Sequence, residues 1–250
     1  MTPVEFGDFL FFGQTAPRSR AWLLTGKRQR FLARQATVSQ QEDLLTNVRT
    51  WTISRKRGQL IFDAGETPRN MYRVESGCVR LQVRGLQGDR QIVVFLFPGD
   101  LFGYDIEDRI CSAEAACDSA LRCWVVAAML NGTDNRAKMT ITLLEAAQHR
   151  FAGMAAHIET VTHLSAKERV IWFLNGLLSC PGLPKADGRL HLPMSHMDIA
   201  NYLGLAPETF SRVLADLEVD QYLRRVGRHD LELTPEAFLR VRHSADLKQS

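Results

Sequence analysis

Residues 195–217 read SHMDIANYLGLAPETFSRVLADL, and this stretch predicts two short helices joined by a tight turn. Ser195 is a good N-cap for a first helix that runs to Leu203. Gly204 permits the positive φ that a sharp reversal of the chain requires, and Pro207 suits the first turn of the second helix. The apolar residues on the sides where the two helices would cross are Ile199, Ala200, Leu203, Leu205, Val213, Leu214 and Leu217. The pattern therefore predicts a helix-turn-helix.

Three polar side chains, Glu208, Ser211 and Arg212, share the outer face of the second predicted helix. Arginine can donate two hydrogen bonds to guanine, glutamate can accept one from the cytosine amino group, and serine can reach either base edge. The alternative is an exposed Glu–Arg pair four residues apart, worth only about 0.3–0.5 kcal/mol. Because the glycine corner and the capped helices surround them, we interpret the three as base-reading residues in the DNA major groove.

A hairpin rich in arginine follows, with the sequence YLRRVGRHDLEL over residues 222–233. Arg224, Arg225 and Arg228, at or near its tip, and Thr209 in the second helix are expected to contact DNA phosphates, which position a protein without reading sequence. Residues 165–250 hold 11 Lys and Arg against 11 Asp and Glu. DNA contact must therefore rest on local clustering and not on bulk charge.

Upstream, from Gly58 to Val126, short runs of Val, Ile, Leu and Phe alternate with glycine turns such as Gly77 and Gly88. This spacing predicts a compact all-β roll or barrel, and a short helix that starts at Ser39 precedes it. Together they make up a β-roll domain over residues 39–132. Residues 1–38 combine a Phe-rich patch with a basic run, and we interpret them as an N-terminal arm.

A long helix is predicted over residues 133–163, where apolar residues recur at alternating steps of four and three. This stripe comprises Leu144, Ala147, Phe151, Met154, Ile158 and Val161. A stripe so narrow and regular is typical of a coiled-coil dimer seam, and the alternative is a helix buried within one chain. Residues 164–250 then form the DNA-binding domain.

The composition is that of an ordinary globular protein, with 250 residues, 45% of them apolar and 24% charged, and a net charge of +3. The five cysteines form no C-x-x-C pair, so neither a zinc site nor a disulfide framework is expected. No signal peptide or membrane span is evident, and we expect a cytoplasmic protein without membrane contact. The sequence has no Gly-rich phosphate loop, H-E-x-x-H or G-x-S-x-G motif, so an enzyme is not expected.

The order of these parts resembles the CRP/FNR family of bacterial transcription regulators over about residues 39–240. The segments that carry the resemblance are GQLIFDAGE, FPGDLFG, HLSAKERVIWFL and MSHMDIANYLGLAPETFSRVLADL. It implies an α+β fold with an N-terminal β-roll like a cyclic-nucleotide-binding domain, a long dimerisation helix and a C-terminal winged helix-turn-helix. The E-x-x-S-R pattern from Glu208 to Arg212 is similar to that of the FNR and FixK-like branches. It implies a homodimer that reads a TTGA-type palindrome, with Arg212 on guanine and Glu208 on the paired cytosine, and an activator that contacts RNA polymerase.

Two departures from the family concern cofactors. The family's cyclic-nucleotide cassette has an arginine where this chain has Cys111, and Tyr104 follows Gly103 where a glutamate is expected; Arg109 lies close but out of place. Without that arginine we expect no cyclic-nucleotide binding. The iron–sulfur branch uses an N-terminal cysteine trio, whereas no cysteine precedes Cys78 here, so no cluster is expected.

We therefore predict no cofactor. The alternative is an effector-gated regulator whose β-roll binds a small molecule or haem, although no cysteine or histidine spacing singles out a haem ligand. Cys180, in a predicted exposed loop, is the best candidate for a redox-active thiol. The cysteines at 111, 117 and 123 are expected to be buried small apolar residues of the roll.

Overall fold

The computed structural model describes residues 49–85, 88–105, 107–126, 133–180, 183, 185–186, 189–227 and 229–234. Three parts of the chain lie outside these residues. They are the predicted arm over 1–38, the helix expected from Ser39, and the end of the predicted DNA-binding domain from residue 235 onward.

The N-terminal part is a roll of short antiparallel strands, as the alternation of apolar runs and glycine turns predicts. The strands are β1 (Thr50–Arg55), β2 (Leu60–Phe62), β3 (Asn70–Ser76), β4 (Val79–Arg84), β5 (Arg90–Leu96), β6 (Leu101–Phe102), β7 (Ser112–Ala115) and β8 (Ser119–Val125). They form two four-stranded sheets, ordered β1-β8-β3-β6 and β2-β7-β4-β5. Strand β5 is therefore an edge of the second sheet, and one of its sides has no neighbouring strand in that sheet.

The turn between β3 and β4 depends on Gly77. Its φ is +88°, and a Cβ there would lie 2.4 Å from Ser119 Oγ and 2.5 Å from the Asp118 carbonyl oxygen. Only glycine fits this combination of backbone conformation and close approach. The turn thus brings β4 against β7, its partner in the second sheet.

Two helices follow the roll. Helix α1 covers Thr133–His163, and α2 covers Ala166–Ser179. A capping box starts α2: Ser165 Oγ accepts from the Glu168 amide, and the Glu168 side chain accepts from the Ser165 amide. No helix among the described residues is long and apolar enough to cross a membrane.

The C-terminal part is a winged helix-turn-helix. Its elements are β9 (Lys185–Ala186), β10 (Arg189–His191), α3 (His196–Tyr202), α4 (Pro207–Val219), β11 (Leu223–Arg225) and β12 (Asp230–Leu233). The strands form one antiparallel sheet in the order β11-β12-β10-β9. The predicted hairpin is the β11–β12 pair, with Arg224 opposite Glu232.

The core continues from the helix-turn-helix into the roll. Phe95 of β5 lies 5.3 Å from Tyr202 of α3 and 6.1 Å from Phe173 of α2, measured between ring centroids. A second apolar cluster fills the inside of the roll. The helix-turn-helix therefore packs directly on β5 and is not held only by the chain that leads into it.

Candidate nucleic-acid interface

Local signals build the helix-turn-helix from its two helix ends. Ser195 caps α3 as predicted, and Asp198 completes a capping box because its carboxylate accepts from the Ser195 amide. Helix α3 ends at Tyr202, one residue before the predicted end, and Gly204 has a φ of +61°. Pro207 occupies the first turn of α4. The corner therefore has the conformation that the glycine predicts.

An arginine that the sequence did not single out stabilises this corner. Arg169 of α2 donates from Nη1 to the Leu203 carbonyl at 3.1 Å and from Nε to the Leu164 carbonyl at 2.9 Å. The last carbonyls of a helix lack partners within the helix, so a donor from a neighbouring element was to be expected here. Which residue supplies it depends on how α2 packs against α3, and the local sequence contains no signal for that.

The three predicted base-reading side chains lie together on the outer face of α4. Glu208, Ser211 and Arg212 are exposed. On the opposite face Phe210, Val213, Leu214 and Leu217 are buried. Within the part of the chain that the structure describes, Glu208 and Arg212 form no ion pair with each other or with another side chain. The simple alternative of a surface pair is therefore not observed, and both groups are available to an outside partner.

The predicted phosphate-binding arginines are already paired with carboxylates. Arg224 binds Glu232 across the hairpin, with Nε 3.0 Å from Oε2. Arg225 binds Glu218 at the end of α4, with Nε 2.7 Å from Oε2. The Arg225 amide and side chain hold the pKa of Glu218 below its usual value. Arg228 lies outside the described residues, and Thr209 is partly exposed in the first turn of α4.

The predicted seam is an exposed apolar stripe along α1. Phe151 is 75% exposed, Ile158 59%, Leu144 57% and Met154 40%. Ala147 is also exposed and Val161 is partly exposed. Met139, Thr142, Ala146 and Thr160, on other faces of the helix, are buried. Packing among the described residues therefore leaves the seam side chains largely or partly exposed.

Aromatic rings fill the part of the roll that lies beside Arg109. The rings of Phe62, Tyr72 and Phe102 stack with centroids 5.2–6.1 Å apart. Arg109, two residues before Cys111 in the sequence, is 4% exposed. It donates to Asp105 at 2.8 Å and to the Asn70 carbonyl at 2.6 Å. Because Arg109 already has a carboxylate partner, it has no free charge to offer a cyclic phosphate.

The expectation that Cys180 lies in an exposed loop is wrong. Cys180 forms the C-cap of α2, its amide donates to the Leu177 carbonyl, and the residue is 1% exposed. Leu183, in the same predicted loop, is 7% exposed and belongs to the same apolar cluster. These two side chains pack against the domain core, because leaving them in water would cost free energy. Cys123 is buried as expected, whereas Cys111 and Cys117 are only partly buried.

Comparison with known proteins agrees with this architecture. A model of the Crp-like helix-turn-helix domain matches residues 168–241, and one of the cyclic nucleotide-binding domain matches residues 52–131. The nitrogen fixation regulation protein FixK of Rhizobium meliloti is 33% identical over 164 residues, which are 65% of this chain and 73% of that protein. The fumarate and nitrate reduction regulatory protein of Vibrio cholerae is 29% identical over 180 residues, 70% of this chain and 71% of that protein. The structure of FixK2 from Bradyrhizobium japonicum superposes with a TM-score of 0.67 at 27% identity, covering 80% of this chain and 97% of that one.

Proposed function

The chain belongs to the CRP/FNR family of transcription regulators, and from that premise we propose that it is an activator that binds a TTGA-type palindrome as a homodimer. Each protomer inserts the N-terminal half of α4 into the major groove of one half-site. The observation that carries the proposal is that Glu208, Ser211 and Arg212 are exposed on the outer face of that helix, where neither Glu208 nor Arg212 forms an ion pair with any of the described residues.

The chemistry of the three side chains matches the bases of such a half-site. Arg212 donates two hydrogen bonds to the O6 and N7 of guanine, and Glu208 accepts one from the N4 amino group of the paired cytosine. Ser211 is short enough to approach a neighbouring base edge. Because neither charged group has to leave an internal partner, neither loses an ion pair when it binds DNA.

A palindrome requires a symmetric dimer, and the exposed stripe on α1 supports one. Five of its six residues are exposed and the sixth partly exposed, as they would be in one protomer of a coiled coil separated from its partner. A two-fold axis along this stripe relates the two α4 helices, and the half-sites then lie about 34–36 Å apart, one turn of DNA. Contact with RNA polymerase belongs to the proposed activator role and rests on family membership.

Thr209, Arg224, Arg225 and Arg228 are the proposed phosphate contacts. For Arg224 and Arg225 this contact exchanges a glutamate for a phosphate, since both are paired in the free protein. These contacts orient α4 and carry no sequence information.

The test is binding of the purified, reduced protein to a duplex carrying a TTGAT…ATCAA palindrome. Arg212→Ala is expected to weaken binding by about 1–3 kcal/mol per half-site, or about 5- to 150-fold. It should also reduce, by the same factor, the discrimination against a duplex in which the half-site guanines are replaced, and the part that remains is due to Glu208 on the paired cytosine. Arg57→Ala, which removes an exposed arginine of the roll, is the matched control and should leave the affinity unchanged. If Arg212→Ala discriminates between the two duplexes as strongly as the wild type does, the assignment of Arg212 to guanine is wrong.

A further inference from the structure

Helix α3 contacts two parts of the molecule at once. Ile199, Ala200 and Leu203 are buried in the apolar core of the helix-turn-helix. Asp198, Asn201 and Tyr202 are spaced by three and four residues and therefore share the face that contacts the roll. Each of the three makes a specific contact with the roll.

The Asn201 side chain binds the free edge of strand β5 as a neighbouring strand would. Its Oδ1 accepts from the Ile92 amide at 2.7 Å, and its Nδ2 donates to the Arg90 carbonyl at 2.9 Å. The backbone carbonyl of Asn201 also accepts from Gln91 Nε2 at 2.8 Å. An edge strand exposes unpaired donors and acceptors, and one carboxamide here satisfies a donor and an acceptor of β5 together.

Arg80 of β4 provides the second polar contact. One of its terminal nitrogens binds Asp198 of α3, and the other binds Glu114 of β7. The side chains of Arg80, Glu114 and Asp198 are 18%, 7% and 12% exposed. A single guanidinium thus lies between two largely buried carboxylates, one from each side of the interface. Removing it would take the cation away from the largely buried Asp198, whereas Glu114 would keep Arg90, whose Nη1 lies 3.3 Å from Oε2.

We propose that Arg80, Asp198 and Asn201 are positioning residues for DNA binding, which hold the helix-turn-helix at a fixed orientation on the roll. This proposal rests on the proposed function. In a dimer joined along α1, this orientation sets the distance between the two α4 helices and hence the half-site spacing that the protein accepts. We call the contacts of these three residues the α3 clasp.

Two features indicate that the α3 clasp holds the helix-turn-helix in an orientation that can bind DNA. The reading face of α4 remains exposed while α3 is docked, so docking does not cover Glu208 or Arg212. Only Leu164 and Ser165 separate the end of α1 from the start of α2. Such a short junction lets the helix-turn-helix domain rotate relative to α1 about only a few backbone dihedral angles, and the α3 clasp fixes that rotation.

Three substitutions test the clasp, and one serves as a control. Arg80→Met removes the bridging charge. Asp198→Asn removes the attraction to Arg80 but keeps an oxygen for the capping box, so it is the milder variant if Arg80→Met fails to fold. Asn201→Ala frees the β5 edge. Arg84→Met, which removes an exposed arginine from the same strand as Arg80, is the matched control.

The decisive readout is spacing selectivity. Affinities are measured for a single half-site, for the palindrome at its best spacing and for the same palindrome with one base pair inserted. If docking falls from nearly complete to about a tenth of the population, the affinity for the best palindrome falls about tenfold. The clasp variants should keep the wild-type affinity for the half-site and lose most of the preference for the best spacing. Clasp variants that fold and keep the full spacing preference would overturn the proposal.

A measurement without DNA separates this proposal from the proposed function. Hydrogen exchange of the Ile92 amide reports directly on the contact with Asn201. In all three clasp variants exchange at Ile92 should accelerate by about tenfold or more, while the Val94 amide in the same strand is the internal reference. If the wild-type protein binds no duplex but Ile92 responds in this way, the proposed function fails while the docking contact stands. If Ile92 exchange does not change in Asn201→Ala, the clasp itself is refuted.

Discussion

The α1 stripe gives a quantitative prediction for the dimer. Phe151 is 75% exposed in the single chain, and burying a whole phenylalanine side chain contributes about 1.5–3 kcal/mol. Burying the exposed three quarters therefore contributes about 1–2 kcal/mol per side chain. A two-fold interface contains two copies, so Phe151→Ala should cost the dimer about 2–4 kcal/mol, which raises the dissociation constant about 30- to 700-fold.

Sedimentation velocity over a dilution series measures this constant directly. Glu145→Ala is the control, because Glu145 is exposed on the same helix but lies roughly 140° around it from the stripe at about 100° per residue. The control should dimerise as the wild type does. A dissociation constant for Phe151→Ala within threefold of the wild-type value would refute the assignment of the α1 stripe to the dimer interface. A wild-type protein that stays monomeric at concentrations where it binds the palindrome would refute it as well.

Three further outcomes follow from individual residues. Burial lowers the pKa of His157 to about 4 from an ordinary value of 6.5. The folded state therefore prefers the neutral ring, and about 3 kcal/mol of stability, present above pH 6.5, is lost as the pH falls towards 4. In His157→Phe, which keeps an aromatic ring stacked on Tyr202, the free energy of unfolding measured by urea denaturation should change less between pH 7 and 4.5 than in the wild type. The same change with pH in both proteins would contradict the assignment to His157. Gly204→Ala should lower the free energy of unfolding by about 1–2 kcal/mol, because φ is +61° there; a neutral effect in urea denaturation would show that the corner relaxes. Cys180 should react with a thiol reagent at least about tenfold more slowly than the partly buried Cys111, and equal rates would mean that the end of α2 opens readily.

The features that the sequence predicted well depend on local signals. Ser195 caps its helix as predicted, because a cap needs only a side-chain oxygen and amides two or three residues ahead. Gly204 marks the corner because the backbone conformation there disfavours other residues. The period of three and four along α1 likewise predicted a surface stripe, since helical geometry alone decides which residues share a face.

The features that the sequence could not predict depend on contacts between distant residues. Arg80 and Asp198 are 118 residues apart, and nothing near either residue indicates the other. Arg225 looked like a free phosphate contact because Glu218 lies on a different element. The misplacement of Cys180 has the same origin: proline, glycine and charge nearby predicted a loop in water, whereas packing against the domain core decided the burial.

The paired arginines of the hairpin affect how the protein searches a genome. Each guanidinium lies beside a carboxylate and the opposite charges largely cancel at a distance, so these two pairs contribute little attraction to DNA of arbitrary sequence. Non-specific affinity comes almost wholly from phosphate neutralisation, and at Arg224 and Arg225 each proposed phosphate contact must first displace a glutamate. We therefore expect these two arginines to shorten residence on random sequence, which leaves a larger share of the protein free to reach its own sites.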